Sequence, residues 1–310
     1  MSFFKLYHIV CKYTIISICL IICAGGFVRM SGSGMGCPDW PKCFGSWIPP
    51  THISQLPLNY KDIYAKRGYD QLDFNVFNTW TEYINRLFGF VGGIFCLTLL
   101  LISFYTKKIY LIILSFILIL LMGFQAWLGA LVVYSILSPV KITLHMLLAL
   151  LILCLLFFIY RITSVHRMVQ NQLSNKWIYI CLGISLFQIL LGTQVRESID
   201  NILDWDNHLS LISQLSTVFK VHRTSAWLVL LSNSILLFHY RYFFQLYLEL
   251  KIIMFVIICL FISGIIMSSY SLMGFSQLVH LICAVSLFTS QFSFLLKQYC
   301  FPTAKFPSVL

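Results

Sequence analysis

The amino-acid sequence predicts an all-α integral membrane protein, and three observations support this: its composition, its long apolar windows and its alternating loop charges. Of the 310 residues, 59% are hydrophobic and 10% are charged, and the mean hydropathy is +0.88. Soluble domains have about 25% charged residues, so the composition excludes a water-soluble globular enzyme. In a soluble protein the net charge of +11 would suggest a nucleic-acid partner. In a membrane protein it is typical of basic cytoplasmic loops, so we expect the lipid bilayer as partner and no nucleic acid.

Eight windows are long enough to cross a bilayer, which requires roughly 20 mostly apolar residues. They lie at about residues 11–28, 84–104, 109–133, 139–160, 177–195, 221–240, 251–270 and 273–296. These windows are too long and too uniformly apolar for strands. The predicted class is therefore a bundle of eight transmembrane helices.

The loops between the windows alternate in charge, which predicts how the bundle is oriented. Nine of the ten acidic residues fall in connections on one side of the bundle, and Glu249 is the exception. The opposite side has the basic segments, which include Lys5, Lys12, Lys107, Lys108, Arg161, Arg167, Lys176, Arg241, Lys251, Lys297 and Lys305. The positive-inside rule then predicts cytoplasmic N- and C-termini and a long outward loop at residues 29–83. No cleavable signal is expected, and a bacterial plasma (inner) membrane is the expected location.

An internal repeat relates the first four windows to the last four. The first and fifth windows both end in Val-Arg, and the arginines that open the second and sixth are 137 residues apart. His145 in the fourth window and His280 in the eighth are 135 residues apart. Such similar offsets predict two pseudo-symmetric four-helix bundles, an N-terminal one at residues 1–165 and a C-terminal one at residues 166–310.

The repeat groups the histidines into a candidate heme site. In the second half, His222 and His280 lie at a similar depth on two helices, which suits axial ligation of a heme iron from both sides. In the first half the partner of His145 is Asn85, which is a poor iron ligand. For any single histidine, a hydrogen bond to a backbone carbonyl is the alternative, and the agreement of His145 with His280 favours ligation.

Three charged residues lie beside these positions. Arg86 and Arg223 could each bind a heme propionate as a forked pair, or extend to the lipid headgroups. Glu82, three residues before Asn85, is a candidate proton acceptor. Alternatively, Glu82 is an acid at a helix start that pairs with Arg86.

Small and amide side chains within the windows have two interpretations. Three glycine pairs are expected to permit close approach of a helix or of a macrocycle: Gly25 with Gly26, Gly89 with Gly93, and Gly123 with Gly129. Gln125 and Gln188 could line a cavity or form hydrogen bonds across helices. Both interpretations stay open from the sequence.

Cys37 and Cys43 differ from the other cysteines because they lie in the long loop rather than in or beside an apolar window. Their short separation and an oxidising compartment favour a disulfide over two free thiols or half of a metal site.

Two stretches resemble the heme A synthase family. The run Gly-Phe-Val-Arg-Met-Ser-Gly-Ser-Gly-Met-Gly-Cys-Pro-Asp-Trp-Pro-Lys-Cys at residues 26–43 resembles the first-loop signature of that family. The run Glu-Tyr-Ile-Asn-Arg at residues 82–86 resembles its Glu-Tyr-x-His-Arg motif. The similarity extends over essentially the whole chain in span count, repeat and later histidines.

The resemblance implies an enzyme that oxidises the C8 methyl group of heme O to the formyl group of heme A by successive hydroxylation, for terminal oxidase assembly. It implies a heme b held by His222 and His280 in the second half. The predicted orientation puts both heme sites near the outer face. It implies a substrate site at His145 and Asn85 in the first half. It also implies that Glu82 is the catalytic carboxylate and that the two loop cysteines form a disulfide or redox pair. Heme O synthase and an electron donor are the expected partners, and an oligomer is left open.

Two departures from the family pattern bear on the mechanism. Asn85 replaces the usual histidine, so we expect an iron with an open position in the first half. The loop from Glu197 to Lys220 contains no cysteine, so the second-loop disulfide of some members cannot form there. The alternatives to the synthase are a diheme or monoheme b-type cytochrome that relays electrons from quinol, and a non-enzymatic heme carrier or assembly factor.

Overall fold

The computed structural model describes residues 2–135, 137–164, 174–203, 217–269 and 274–299. Within these ranges the chain is built from α-helices and one compact loop region. The predicted connections after the fourth and fifth windows and the C-terminal tail lie largely outside the described residues. The division of charge that they support therefore stays a prediction.

Eight long helices lie in the described part of the chain, and each covers one predicted window to within a residue or so. They are α1 (Phe3–Met30), α3 (Val76–Thr106), α4 (Ile109–Tyr134), α5 (Pro139–Thr163), α6 (Lys176–Leu203), α7 (Thr217–His239), α8 (Leu248–Ser269) and α9 (Gly274–Gln298). A short helix, α2 (Tyr60–Ile63), lies in the loop region between α1 and α3.

Local sequence explains where several of these helices begin and end. The side chain of Asn75 accepts a hydrogen bond from the backbone N–H of Asn78 at 3.2 Å, which caps the start of α3. Lys107 adopts a left-handed conformation with φ 56°, which ends α3 and turns the chain into α4. Pro139 is the first residue of α5, where its missing N–H costs no helical hydrogen bond.

Seven of the long helices in the described residues are long and apolar enough to cross a membrane, which indicates a multi-pass membrane protein. The helix outside this group is α7, because its first half is polar. Lys220, His222 and Arg223 lie in its first two turns, and Ser232 and Asn233 follow. The predicted count of eight spans and the predicted orientation of the termini therefore stay predictions.

The chain forms two compact units, one of residues 12–152 and one of residues 1–11 together with 153–310. The predicted boundary between residues 165 and 166 differs only in where the ends of two helices belong. At those ends the ring of His8 stacks on Tyr160 with centroids 4.3 Å apart, and His8 Nδ1 lies 2.9 Å from Thr163 Oγ1. The assignment of one heme site to each half stays a prediction.

The last four helices pack in a closed ring, with α6 against α7, α7 against α8, α8 against α9 and α9 against α6. Large buried side chains fill one end of this ring, among them Leu236, Tyr240, Tyr247, Leu250 and Phe294. Polar side chains within the ring pair with each other. Gln291 Nε2 donates to Asn233 Oδ1 at 2.8 Å, and neither residue is exposed. Such a ring can enclose a cofactor between facing helices.

In the unit of residues 12–152, α3 packs against α1 and against α4. A Cβ on Gly92 would lie 2.5 Å from Ile21 Cδ1 of α1 and 3.4 Å from Met122 Cε of α4. The missing side chain of Gly92 therefore lets α1 and α4 approach α3 closely.

The loop region between α1 and α3, residues 31–75, folds around its own aromatic cluster. Phe44 lies at the centre, and its ring makes edge contacts with Tyr60, Tyr64, Tyr69 and Phe74 at centroid distances of 5.6–6.1 Å. We call these residues 31–75 the long loop. Because the cluster supplies a small apolar core, the long loop has a defined structure of its own.

The long loop touches the start of α3 most closely at Gly36. A Cβ added to Gly36 would lie 2.6 Å from the carbonyl carbon of Asn78 and 2.9 Å from Thr79 Cα, both of which are backbone atoms. The carbonyl of Gly36 accepts a hydrogen bond from Thr79 Oγ1 at 2.9 Å. Only glycine fits this approach, so residue 36 determines how the loop docks.

Gly36→Ala is expected to undock the long loop from α3. Backbone atoms cannot move aside for the added methyl group, and overpacking of this kind costs about 1–3 kcal/mol or more. Trypsin should then cleave the detergent-solubilised protein within the loop, at sites such as Lys61 and Arg67, at least tenfold faster than wild type. Gly89→Ala in α3 is the matched control, because a Cβ there meets nothing within 4 Å. Equal cleavage of Gly36→Ala and wild type would contradict the prediction.

Candidate functional site

His222 on α7 and His280 on α9 face each other inside the ring of the last four helices. Their ring centroids lie 6.4 Å apart, with 63° between the ring planes. A metal ion roughly 2 Å from one nitrogen of each ring would place the centroids roughly 6–6.5 Å apart. The predicted pair is therefore brought together at a separation that fits a heme iron between the two imidazoles.

A hydrogen bond on α8 orients His280. Its Nδ1 lies 2.9 Å from Ser263 Oγ, and Ser263 Oγ donates to the carbonyl of Cys259 at 2.8 Å. In the tautomer with the proton on Nδ1, that N–H donates to the serine oxygen while the serine hydroxyl donates to the carbonyl. Nε2 of His280 then keeps a lone pair for a metal.

His222 is held through its backbone. Gln188 Nε2 on α6 donates to the carbonyl of His222 at 2.8 Å, and Gln188 Oε1 accepts from Ser225 Oγ at 2.7 Å. The ring atom Nδ1 of His222 is buried without a hydrogen-bond partner among the described residues. An unsatisfied buried nitrogen is costly, and the described residues supply no partner for this one.

The corresponding residues of the first half are held in a similar way. Gln125 Nε2 on α4 donates to the carbonyl of His145 on α5 at 3.0 Å, and His145 Nδ1 is buried without a partner in the described part of the chain. Asn85 on α3 likewise has a buried, unpartnered Oδ1. The two glutamines therefore form hydrogen bonds across helices, which was one of the two interpretations that the sequence left open.

Glu82 is buried beneath the long loop, with 4% of its surface exposed. Its Oε2 accepts hydrogen bonds from the backbone N–H groups of Gly36 at 2.7 Å and Cys37 at 2.9 Å. Its Oε1 accepts from Arg86 Nη2, four residues further along α3. The arrangement satisfies both carboxylate oxygens, so the pairing with Arg86 that the sequence offered as an alternative is present.

Arg86 donates to the backbone of the same loop. Its Nη1 lies 2.6 Å from the carbonyl oxygen of Asp39 and 2.9 Å from that of Lys42, and its Nη2 lies 3.3 Å from that of Cys37. Contact with a heme propionate, which stays a prediction, would require some of these bonds to break. Arg223 is exposed, and its guanidinium lies 5.7 Å from the ring centroid of Phe219.

The predicted disulfide is confirmed, since Cys37 and Cys43 are joined with Cα atoms 4.9 Å apart. Free thiols and half of a metal site are therefore excluded in this state. Both cysteines are fully buried. A thiol or reductant can reach the sulfur atoms only when the long loop opens.

Two residues of the long loop that the sequence did not single out bind other parts of the same loop, and one of them also contacts α4. Tyr69 donates to the carbonyl of Met35 at 2.5 Å, and burial raises the pKa of its phenol, so it stays a donor well into the alkaline range. Arg67 donates to the carbonyl of Pro38 at 2.5 Å and stacks over the ring of Tyr134 at 4.6 Å. No spacing in the sequence pairs these residues, because their partners lie about 30 or more positions away.

Comparisons with known proteins give one family and several relatives. A family model described as COX15-CtaA, cytochrome oxidase assembly protein, matches residues 8–292. A protein of Shewanella oneidensis named Heme A synthase is 30% identical over 189 residues, which are 58% of this chain and 54% of that protein. A protein of the same name from Pelagibacter ubique is 29% identical over 197 residues, 56% of each chain. Another from Ehrlichia canis is 30% identical over 196 residues, 58% of this chain and 56% of that protein. The chain spans about half the length of the relatives that it matches.

Glu82→Gln is expected to loosen the long loop. A glutamine has one oxygen, so its amino group would face either the two loop N–H donors or the guanidinium of Arg86. Leaving buried donors unsatisfied costs about 1–3 kcal/mol, which corresponds to roughly ten- to a hundredfold more frequent opening. The measurement is the rate at which a phosphine reduces the Cys37–Cys43 disulfide, followed by thiol labelling and peptide mass mapping.

The matched control for this variant is Asp73→Asn. Asp73 also belongs to the long loop, and it pairs with Lys61 at 2.7 Å. This pair is at the surface, and such pairs contribute little to stability. Reduction rates of Glu82→Gln and Asp73→Asn that both equal the wild-type rate would show that the carboxylate of Glu82 does not hold the loop.

Proposed function

The chain belongs to the family of cytochrome oxidase assembly proteins described as COX15-CtaA, and we propose from this premise that it is a heme A synthase. The proposed reaction is the oxidation of the C8 methyl group of heme O to a formyl group. The observation that supports this most directly is the match of the family model over residues 8–292, a range that includes every candidate site residue. Relatives named Heme A synthase support the same activity.

The second half is proposed to hold a heme b between His222 and His280. The centroid separation of 6.4 Å and the bond from His280 to Ser263 support this proposal. An iron with two imidazole ligands has no free position, and such a group supplies electron transfer. The exposed guanidinium of Arg223, which follows His222 directly, is the proposed partner of a propionate.

The first half is proposed to bind heme O. His145 would supply one imidazole from α5. Asn85 would offer only an amide from α3, so the substrate iron keeps one position open to water or oxygen. The buried and unpartnered atoms of both residues support a polar ligand between them.

Glu82 is proposed to accept a proton in this reaction, and Arg86 to pair with a propionate of the substrate. Each would first give up contacts with the long loop. A role as proton acceptor predicts that Glu82→Gln stops heme A formation even where the disulfide stays protected. A role in holding the loop predicts that Glu82→Gln and Gly36→Ala lose activity in proportion to loop opening.

The remaining proposals concern location and partners. A bacterial plasma membrane, with both heme sites near its outer face, agrees with the seven apolar helices and the bacterial relatives. Heme O synthase is the proposed source of the substrate. An electron donor must reduce the heme b, and an oligomer is left open.

Heme analysis tests the proposed function. The protein is expressed in bacterial membranes that contain heme O but lack heme A, and the extracted hemes are separated and weighed by mass spectrometry. We expect a heme whose mass and spectrum match a formyl group at the former methyl position. His145→Ala is expected to abolish it, because the substrate loses its imidazole ligand. A six-coordinate b spectrum without formyl heme would instead favour an electron relay, and bound heme without either would favour a carrier.

The open coordination position gives a separate prediction. Asn85→His is expected to add a second imidazole in the first half, to increase the six-coordinate low-spin signal and to lower heme A formation about tenfold or more by closing the reactive position. Asn85→Ala is expected to retain activity, because it keeps the position open. If Asn85→His shows the six-coordinate spectrum with full turnover while Asn85→Ala is inactive, the open position is not needed.

A further inference from the structure

Each of the three candidate ligand histidines packs its ring against a glycine of a neighbouring helix. A Cβ added to Gly129 of α4 would lie 3.3 Å from Cε1 of His145. A Cβ on Gly192 of α6 would lie 3.4 Å from Cε1 of His222. The corresponding distance from Gly264 of α8 to Cε1 of His280 is 3.7 Å. The three rings therefore share one kind of contact, with the same ring carbon facing each glycine.

The contacts follow the internal repeat. Gly129 and Gly264 are 135 residues apart, which is also the offset between the histidines that they contact. Gly192 has its counterpart at Gly25 on α1, at the same offset of 167 residues that relates the Val-Arg ends of α1 and α6. A Cβ on Gly25 would lie 3.9 Å from Oδ1 of Asn85. The glycine is thus present at all four ligand positions, including the one whose imidazole is replaced by an amide.

Five other glycines of the described helices make no contact of this kind. A Cβ added to Gly89, Gly93, Gly123 or Gly183 would meet nothing within 4 Å, so the close approach expected at the first three is not found. A Cβ added to Gly92 would meet aliphatic side chains of α1 and a methyl group of α4. These five therefore differ from the glycines at the candidate ligand positions, which contact a ligand side chain.

On α6, Gln188 holds His222 at a second point, in addition to the contact with Gly192. Gln188, one helical turn before Gly192, bonds to the carbonyl of His222, while Gly192 contacts its ring. The hydrogen bond from the side-chain amide of Gln188 fixes the height of His222 relative to α6. The glycine then determines how near the imidazole lies to that helix.

On α4 the same four-residue spacing holds His145. Gln125 bonds to its carbonyl and Gly129 contacts its ring. On α8 the polar contact is to the ring rather than to the backbone. Ser263, adjacent to Gly264, forms a hydrogen bond with the ring of His280. In each case one polar contact and one glycine contact fix a single imidazole.

We propose that Gly129, Gly192 and Gly264 are positioning residues that seat the imidazole rings of the iron ligands, with Gln125 and Gln188 fixing the ligand backbone. The proposal rests on the proposed heme binding. A Cβ at Gly129 or Gly192 would lie 3.3 or 3.4 Å from the ring, so the imidazole would have to shift by a few tenths of an ångström from its helix. Iron ligation needs the ring nitrogen within a few tenths of an ångström of its place, so this displacement weakens binding or changes the ligand set.

Alanine variants with matched controls on the same helix test the seats. Gly192→Ala is compared with Gly183→Ala on α6, and Gly129→Ala with Gly123→Ala on α4. The readouts are heme per purified protein, the low-spin electron paramagnetic resonance signal and the midpoint potential. We expect about a tenfold loss of low-spin heme for Gly192→Ala and wild-type values for both controls. Gly129→Ala should lower heme O retention by a similar factor. Gly264→Ala should have the weakest effect of the three, because its contact is of ordinary van der Waals length.

Two measurements keep the outcome decisive. Size-exclusion chromatography checks that each variant is folded. Gln188→Leu leaves the glycine unchanged and is expected to shift the same signal, so it decides the matter if Gly192→Ala does not fold. Wild-type heme content and spectra in Gly192→Ala, Gly129→Ala and Gln188→Leu would contradict the positioning role of the glycines while leaving the proposed function intact. A wild-type protein that binds no heme would overturn both.

Discussion

The docking of the long loop depends on one buried ion pair, Glu82 with Arg86. Their side chains are only 5% and 13% exposed, and charges so far from water are costly unless further hydrogen bonds satisfy them. Here the backbone of the loop provides those bonds, because N–H groups meet the carboxylate and carbonyl groups meet the guanidinium. The disulfide between Cys37 and Cys43 closes the turn that presents these groups. The pair, the turn and the disulfide therefore stabilise each other and would be lost together.

The same requirement shapes the interior of the bundles, where water cannot satisfy a polar group. Gln188 meets a backbone carbonyl, Ser263 meets a ring nitrogen, and Asn233 meets Gln291. Each of these contacts joins two helices at one height, so it fixes the register of one helix against the other and also satisfies a buried polar group. Two of these three contacts involve the candidate ligands His222 and His280 themselves. A precise placement of the imidazoles thus follows from the polar packing of the bundle.

Length and period made the helices and the proximity of His222 to His280 predictable from sequence. Apolar windows of sufficient length can only be helices in a membrane, and matching offsets bring His222 and His280 to one depth. The short spacing of Cys37 and Cys43 likewise favoured the disulfide. The contacts of Arg86 could not be foreseen, because an arginine at a helix start has the same local sequence whether it meets a propionate or a loop. Its partners depend on the fold of the long loop, which forms around Phe44 from residues distant in sequence. The glycine contacts needed coordinates, since helical glycines such as Gly89 and Gly183 face open space.

The polar first half of α7 has a consequence for how the protein is made. Insertion of a helix into a bilayer becomes unfavourable by about 2.5–3.5 kcal/mol for each arginine or lysine at its centre, and less toward its ends. With Lys220, His222 and Arg223 in its opening turns, α7 gains less than its neighbours from entering lipid alone. Gln188 of α6 bonds to the carbonyl of His222 and to the hydroxyl of Ser225, which gives α7 polar contacts within lipid and favours entry of the two helices as a hairpin. The polar opening turns of α7 thus make its biogenesis depend on the helix synthesised just before it.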